Sequence, residues 1–194
     1  IIYTSGSTGK PKGVGVGNAQ VVNRLYWAWI NYPISREDVF CLQSSVSFVD
    51  STWDIFGTLL SSARLCLYQD DYSKDIERIM EQSNVQNICR ITLVPSILNN
   101  FITHKVKHKI KHLEITGEYF DTSLCKSIYD TYPQIELILD CYGSTEATSV
   151  VYRSFNKTFD IDTKIINNTQ VFILDNNLNR VPIGTKGEIY IGGI

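Results

Sequence analysis

The stretch Tyr3-Thr4-Ser5-Gly6-Ser7-Thr8-Gly9-Lys10-Pro11-Lys12-Gly13 gathers small, hydroxyl-bearing and cationic residues in a pattern suited to holding a polyphosphate. Its glycines let successive backbone N–H groups close around an anion, its hydroxyls add donors, and Lys10 and Lys12 supply positive charge. The spacing excludes a Walker loop: two residues separate Gly6 from Gly9, and Pro11 stands where the magnesium-binding hydroxyl belongs. The Gly13-Val14-Gly15-Val16-Gly17 run that follows misses the dinucleotide spacing as well.

A second stretch with chemical potential is Asp140-Cys141-Tyr142-Gly143-Ser144-Thr145-Glu146. A tyrosine face can stack on adenine, a threonine hydroxyl can donate to an α-phosphate, and a glutamate can hold Mg2+. Standing alone, the stretch would read as a strand ending in a turn with an exposed charge. Between the two lie Phe48-Val49-Asp50-Ser51-Thr52-Trp53-Asp54-Ile55-Phe56-Gly57, then Leu59-Leu60-Ser61-Ser62-Ala63-Arg64-Leu65, then Thr116-Gly117-Glu118, and Gly187-Glu188-Ile189-Tyr190-Ile191-Gly192-Gly193 follows.

In this order the segments resemble the superfamily of acyl-CoA synthetases, luciferases and the adenylation domains of nonribosomal peptide synthetases, the last most closely. The resemblance implies ATP and Mg2+ as the nucleotide and metal. Thr4, Ser5, Gly6, Ser7, Thr8, Gly9 and Lys10 would meet the phosphates, with Lys12 holding the leaving pyrophosphate. Gly117, Glu118, Asp140, Tyr142 and Gly143 would border the nucleoside, while Thr145 and Mg-binding Glu146 would act at the α-phosphate. Asp140 replaces the family's usual asparagine and Ser144 its usual proline; an aspartate can still accept from the adenine amino group, and the serine loosens the turn. The implied acyl acceptor is a phosphopantetheine thiol, on a carrier domain or on coenzyme A. The implied fold is α/β, a fragment of the large N-terminal adenylation domain with mostly parallel sheets flanked by helices in βαβ units. On this reading 1–194 is an internal fragment, inactive alone, without the N-terminal part and the mobile C-terminal domain.

The acid pocket implied by the resemblance is lined by Phe48, Val49, Asp50, Trp53, Thr92, Glu114, Thr116, Cys141, Ser149 and Val150. Members that activate α-amino acids normally carry an aspartate at the position of Val49, where it pairs with the substrate ammonium. Here the acid comes one residue later, at Asp50, and a buried ammonium without a carboxylate partner is costly. The order Val49-Asp50-Trp53 resembles that of domains selecting β-alanine or related β-amino acids. Glu114 reads either as a second amine partner or as a solvated strand residue. The alternative substrate is an acid with no amine, with Asp50 turned away or bonded to backbone. The alternatives for the enzyme are a free-standing acyl- or aryl-CoA synthetase and a non-catalytic nucleotide-binding remnant.

Composition frames these sites. With 194 residues, 43% hydrophobic and 20% charged, the chain can bury a core, and a net charge of -2 provides no cationic field for nucleic acid. No apolar run approaches the roughly 20 residues of a membrane span. Cys41, Cys66, Cys89, Cys125 and Cys141 have no CxxC pairing, which suits reduced thiols and a cytoplasmic location. Apolar runs alternating with helical periods predict strands near 39–44, 64–68, 88–93, 112–116, 135–140, 169–174 and 187–192, and helices near 19–31, 51–61, 72–83, 95–103 and 121–132. Asn18 is the expected cap of the first helix, 153–167 an irregular surface connection, and His104, His108 and His112 part of a lysine-rich solvated surface rather than a metal site. Tyr26, Trp27, Trp29 and Tyr32 are expected to pack that first helix onto the sheet.

Overall fold

The computed structural model describes residues 1–5, 9–68, 75–158 and 160–193. Strands β3 (Val39–Cys41), β4 (Arg64–Cys66), β5 (Arg90–Leu93), β6 (His112–Thr116), β7 (Leu137–Ser144), β8 (Thr148–Phe155) and β9 (Ile161–Ile165) form one sheet in the order β4-β3-β5-β6-β7-β8-β9. The pairings from β4 to β7 are parallel, and β7-β8 and β8-β9 are antiparallel. Two separate hairpins join β1 (Ile2–Thr4) to β2 (Lys12–Val14), and β10 (Thr169–Leu174) to β11 (Glu188–Gly193).

The period-2 alternation of a strand gives the sheet two different faces. Ile91, Leu93, Leu113, Ile115 and Ile138 point to one, where α3 (Ile76–Gln86), α4 (Pro95–His104) and α5 (Leu124–Thr131) bury Ile79, Met80, Leu98, Phe101 and Ile128 against them. The other face is covered by α1 (Asn18–Asn31) and by a π-helical turn, Trp53–Gly57, that runs into α2 (Thr58–Leu60). There Leu25, Trp27, Ala28 and Trp53 pack on Phe40, Leu139, Cys141, Val150 and Tyr152. Parallel strands covered on both sides must be apolar nearly throughout. The polar exceptions on the α1 side are therefore the informative residues.

Several expectations are corrected. Helix α1 is capped by the backbone of Gly17 with no side-chain bond, so Asn18 is its first residue and not its cap. Residues 153–167 are not irregular: β8 and β9 extend the sheet through them, since Val150, Tyr152 and Phe155 are buried. The expected helix at 51–61 is in large part the π turn, and residues 72–74 of the expected 72–83 helix lie outside the described residues. Its described part is capped by Asp75, whose carboxylate accepts from the Arg78 N–H at 3.2 Å. Trp27 and Tyr32 are buried as expected, whereas Tyr26 faces outward.

The histidines also differ. Helix α4 ends at His104 with Lys105 at φ 51°, so no single helix aligns the three imidazoles. The lysines between them are exposed, but His108 is buried against Phe101 and Tyr132, and burial pushes its pKa down to about 4. Among the described residues no cluster of three His, Cys, Asp or Glu side chains could hold a metal. No described helix is long and apolar enough to cross a membrane.

The π turn yields a test. A Cβ on Gly57 would be driven into the Trp53 indole, which packs edge-on against Phe40 at 6.3 Å. Gly57→Ala should cost about 1–3 kcal/mol of stability by overpacking, measured by denaturant unfolding. An unchanged midpoint would contradict this packing.

Candidate functional site

The parallel strands end together, and the loops leaving β3, β5, β6 and β7 meet at their C-terminal edge, where ligands bind in open α/β sheets. Gly117, just beyond β6, belongs to three adjoining cavities there. Its φ of 86° is a left-handed conformation that suits glycine. Gly143 is a second fixed point. It sits at the β7-β8 bulge, where an added Cβ would collide with the Thr148 carbonyl.

A cavity of about 470 Å³ is lined by Gly117, Glu118, Tyr119, Phe120, Asp140, Cys141, Tyr142, Gly143 and Arg153. The structure thus brings together the expected nucleoside-bordering residues, with Tyr142 half exposed. Asp140 is not free there: Arg153 Nε donates to Asp140 Oδ2 at 2.7 Å and Nη2 bonds the same oxygen, leaving Oδ1 for an amino donor. Glu118 has a structural engagement too. Its carboxylate accepts from the Ser96 N–H at 2.9 Å and hydroxyl at 3.2 Å, at the start of α4.

A second cavity, about 190 Å³, is lined by Phe48, Val49, Asp50, Thr116, Gly117, Gly143, Ser144, Thr145, Thr148 and Ser149. It places the acid-pocket residues Phe48, Val49, Asp50, Thr116 and Ser149 beside Thr145. A third, about 330 Å³, shares Phe48, Asp50 and Thr116 and adds Thr92. The remaining expected pocket residues lie elsewhere. Trp53 and Glu114 line a small cavity of about 20 Å³ with Thr92, Cys141 borders the nucleoside cavity while its buried thiol bonds Glu114 on the α1 face, and Val150 borders a cavity at the start of α1. Exposed Glu146 borders that same α1 cavity, together with Gly15, Val16 and Gly17 just after β2. Of the phosphate-loop residues, Thr4 and Lys12 pair across the β1-β2 hairpin, Ser5, Gly9, Lys10 and Lys12 are exposed, and Gly6, Ser7 and Thr8 lie outside the described residues.

Beneath Asp50 lies a residue that the motifs did not reveal. Arg24 of α1 is 0% exposed, and its guanidinium is shared among four groups. Nε donates to the Tyr152 hydroxyl at 3.1 Å, Nη1 to Thr52 Oγ1 at 3.5 Å and Nη2 to Asp50 Oδ1 at 3.3 Å, while Nη2 lies 3.6 Å from Glu114 Oε1. Asp50 is also oriented by the Ser149 hydroxyl on Oδ1 at 3.2 Å and the Thr116 hydroxyl on Oδ2 at 3.3 Å. Burial works against the charge on Arg24, yet Tyr152, Asp50 and Glu114 hold its pKa above the ordinary value. Burial pushes Glu114 up to about 7 against the pull of Arg24, and the Cys141 thiol donates to its Oε1 at 3.3 Å. Asp54 is fully buried and pushed up to about 6, with its oxygens accepting from Thr92 Oγ1 at 2.7 Å and Ser44 N at 3.3 Å. One signal for Arg24 was present: it is a lone cation on the face of α1 that also carries Leu25, Trp27 and Ala28.

Glu114 therefore makes stability depend on pH. Between its ordinary 4.5 and about 7 the folded protein keeps a proton that the unfolded chain has released, so the contribution is greatest at the acid end and is lost as pH rises through 7. Relative to Glu114→Gln, the wild type should weaken by up to about 3 kcal/mol between pH 4.5 and 8, followed by unfolding at each pH. A difference independent of pH would contradict a proton held at Glu114.

The AMP-binding enzyme family matches residues 1–194, the whole chain. Vanchrobactin synthetase VabF of Vibrio anguillarum is 34% identical over 210 residues, covering 100% of this chain and 7% of VabF. The β-alanyl-bioamine nonribosomal peptide synthetase ebony of Drosophila melanogaster is 28% identical over 214 residues, covering 100% of this chain and 24% of ebony. Among solved structures, the N-terminal subdomain of Klebsiella oxytoca NpsA, in complex with 3-hydroxyanthranilyl-AMSN, superposes with a TM-score of 0.80 at 21% identity, over 100% of this chain and 49% of that one. The chain thus spans less than half the length of each. The match over its full length, together with the agreement in fold, places this chain in the AMP-binding enzyme family.

Proposed function

We propose that this chain is the nucleotide- and acid-binding part of a longer enzyme that adenylates a small carboxylic acid with ATP, and that the acid is a β-amino acid such as β-alanine. The observation that carries the reading is the 190 Å³ cavity that Asp50 and Thr145 both line, adjoining the Tyr142 cavity at Gly117 and Gly143. An acid seated there can put its carboxylate toward Thr145 and its amine toward Asp50. Val49, at the position where α-amino acid enzymes keep their aspartate, offers an amine nothing.

The substrate carboxylate attacks the α-phosphorus, a new O–P bond forms, and the α-β anhydride bond breaks with release of pyrophosphate. The chain's contribution is positioning and charge neutralisation. Tyr142 supports the adenine, Asp140 Oδ1 accepts from its amino group, and Thr145 donates to the α-phosphate. Thr4, Ser5, Lys10 and Lys12, with the loop they flank, receive the outer phosphates. Mg2+ needs few protein ligands when phosphates and water complete its shell, and exposed Glu146 fits that requirement. The acyl group then passes to a phosphopantetheine thiol; a carrier domain of the parent protein is the favoured acceptor, by likeness to peptide synthetases. The five free cysteines favour a reducing, cytoplasmic setting.

Ebony's name supports a β-alanyl substrate at 28% identity, while VabF at 34% names none. The competing reading, an acid without an amine, draws on the Arg24 contact, which already gives Asp50 an internal partner. Substrate-dependent ATP–pyrophosphate exchange by the intact protein separates them. β-Amino acids should support exchange ahead of α-amino and amine-free acids, and Asp50→Ala should raise KM for the β-amino acid at least about tenfold with KM for ATP moved less than about twofold. Exchange with α-amino acids alone would overturn the substrate assignment, and equal loss for acid and ATP would mean that Asp50 acts on the fold.

A further inference from the structure

We propose that Cys41 and Cys66 form a redox-sensitive modification site: a small disulfide oxidises them to a bridge between β3 and β4, and the bridge weakens binding of the acid. Cys41 stands in direct register with Cys66 in the parallel pairing of the two strands. Neighbouring strands lie about 4.8 Å apart, and disulfides span Cα separations of about 4.4–6.8 Å. Register partners point to the same side of a sheet, and both thiols pack on the face covered by α3 and α4. The ladders bring no other two cysteines together. Cys141 stands opposite Thr116 and Tyr152, Cys89 precedes β5, and Cys125 lies in α5.

The two thiols differ in access. Cys41 is 0% exposed, whereas Cys66 is half-buried on β4, the edge strand of the sheet, two residues from exposed Arg64. Burial pushes both thiols above their ordinary pKa, and the Arg64 guanidinium pulls Cys66 back, so Cys66 is the attacking thiol. The oxidant is a small disulfide such as oxidised glutathione. The Cys66 thiolate attacks one of its sulfurs, an S–S bond forms, and one glutathione thiolate leaves to take up the proton that Cys66 lost. The Cys41 sulfur then attacks Cys66, the mixed disulfide breaks, and the second glutathione leaves with the Cys41 proton. A relaxed disulfide holds its Cβ atoms about 3.8 Å apart, closer than the about 4.8 Å spacing of parallel strands, so this bridge is strained. Strained disulfides are readily reduced, which is the property of a reversible switch and not of a structural staple.

The consequence follows from what lies directly beyond the pair. The Leu42 N–H donates to the Cys66 carbonyl at 2.9 Å, and the next residues, Gln43, Ser44 and Ser45, line the 330 Å³ acid cavity. The Ser44 N–H also donates to Asp54 at 3.3 Å. Drawing β4 onto β3 therefore shifts one wall of the acid cavity. The 470 Å³ nucleoside cavity takes no residue from this segment, so ATP is spared.

The effect on the acid rests on the adenylation reading, whereas the bridge itself does not. The test equilibrates the intact protein in glutathione buffers from fully reduced to fully oxidised, maps its cysteines by peptide mass spectrometry and assays ATP–pyrophosphate exchange. The expected product in oxidised buffer is a pair of peptides joined through Cys41 and Cys66, lighter by two hydrogens than the free thiols. With it, KM for the activated acid should rise about threefold or more while KM for ATP moves less than about twofold, and dithiothreitol should reverse the change. Cys66→Ala should keep the activity of the reduced protein and lose the response to oxidant. The mapping uses the unaltered chain, so it decides the matter even where that variant fails to fold. A pair that stays reduced, a mixed disulfide with glutathione as the end product, or a bridge that leaves KM for the acid unmoved overturns the inference. Absence of exchange by the fully reduced protein would instead overturn the adenylation reading, with the mapped bridge still standing or falling on its own.

Discussion

A guanidinium withdrawn from water must be met by opposite charge and by hydrogen bonds, and Arg24 imposes that requirement on everything around it. Removing such a charge from water costs several kcal/mol before its partners are counted. The face of the sheet under α1 is accordingly interrupted by Glu114, Thr116, Cys141 and Tyr152, while the loop after β3 brings Asp50 and Thr52 to the same point. The helix, the sheet and the loop are locked in register by one side chain. The depth and orientation of the acid pocket follow from where that side chain ends.

The nucleotide side rests on a different constraint, close approach of backbone. Gly117 and Gly143 occupy positions where a side chain would be strained or would collide, and the cavities on either side meet at Gly117. Asp140 and Glu118 each have an internal partner, Arg153 and the start of α4, so the rim of the nucleoside cavity is held rigid by bonds that leave Tyr142 exposed. A preorganised rim of this kind spares the cost of ordering on binding.

Much of this was legible from residue order. The alternation of apolar runs with helical periods located the strands and helices of the parallel core, and the motif around Tyr142 fell at a strand end as its chemistry requires. Two kinds of feature escaped. Residues 153–167 looked polar because β8 and β9 form the antiparallel side of the sheet, and β9, at its edge, is mostly exposed, so apolar periodicity there is weak. Buried polar residues escaped for the opposite reason. Arg24, Asp54 and His108 look solvent-seeking in isolation, and only three-dimensional neighbours supply the partners that make their burial affordable. Glu114 stood between two readings, solvated or functional, until Arg24 was found beside it.

The central claim is that the substrate's ammonium meets the Asp50 carboxylate while the adenylate end lies by Thr145 and Tyr142. A crystal structure of the intact adenylating protein with a non-hydrolysable β-alanyl-adenylate analogue tests it most directly. The account predicts the amine nitrogen within roughly 2.7–3.2 Å of an Asp50 oxygen, the Arg24–Asp50 and Arg24–Glu114 contacts retained, and the adenine against Tyr142. An amine directed away from Asp50, or an adenine bound outside the Gly117–Tyr142 cavity, would contradict it.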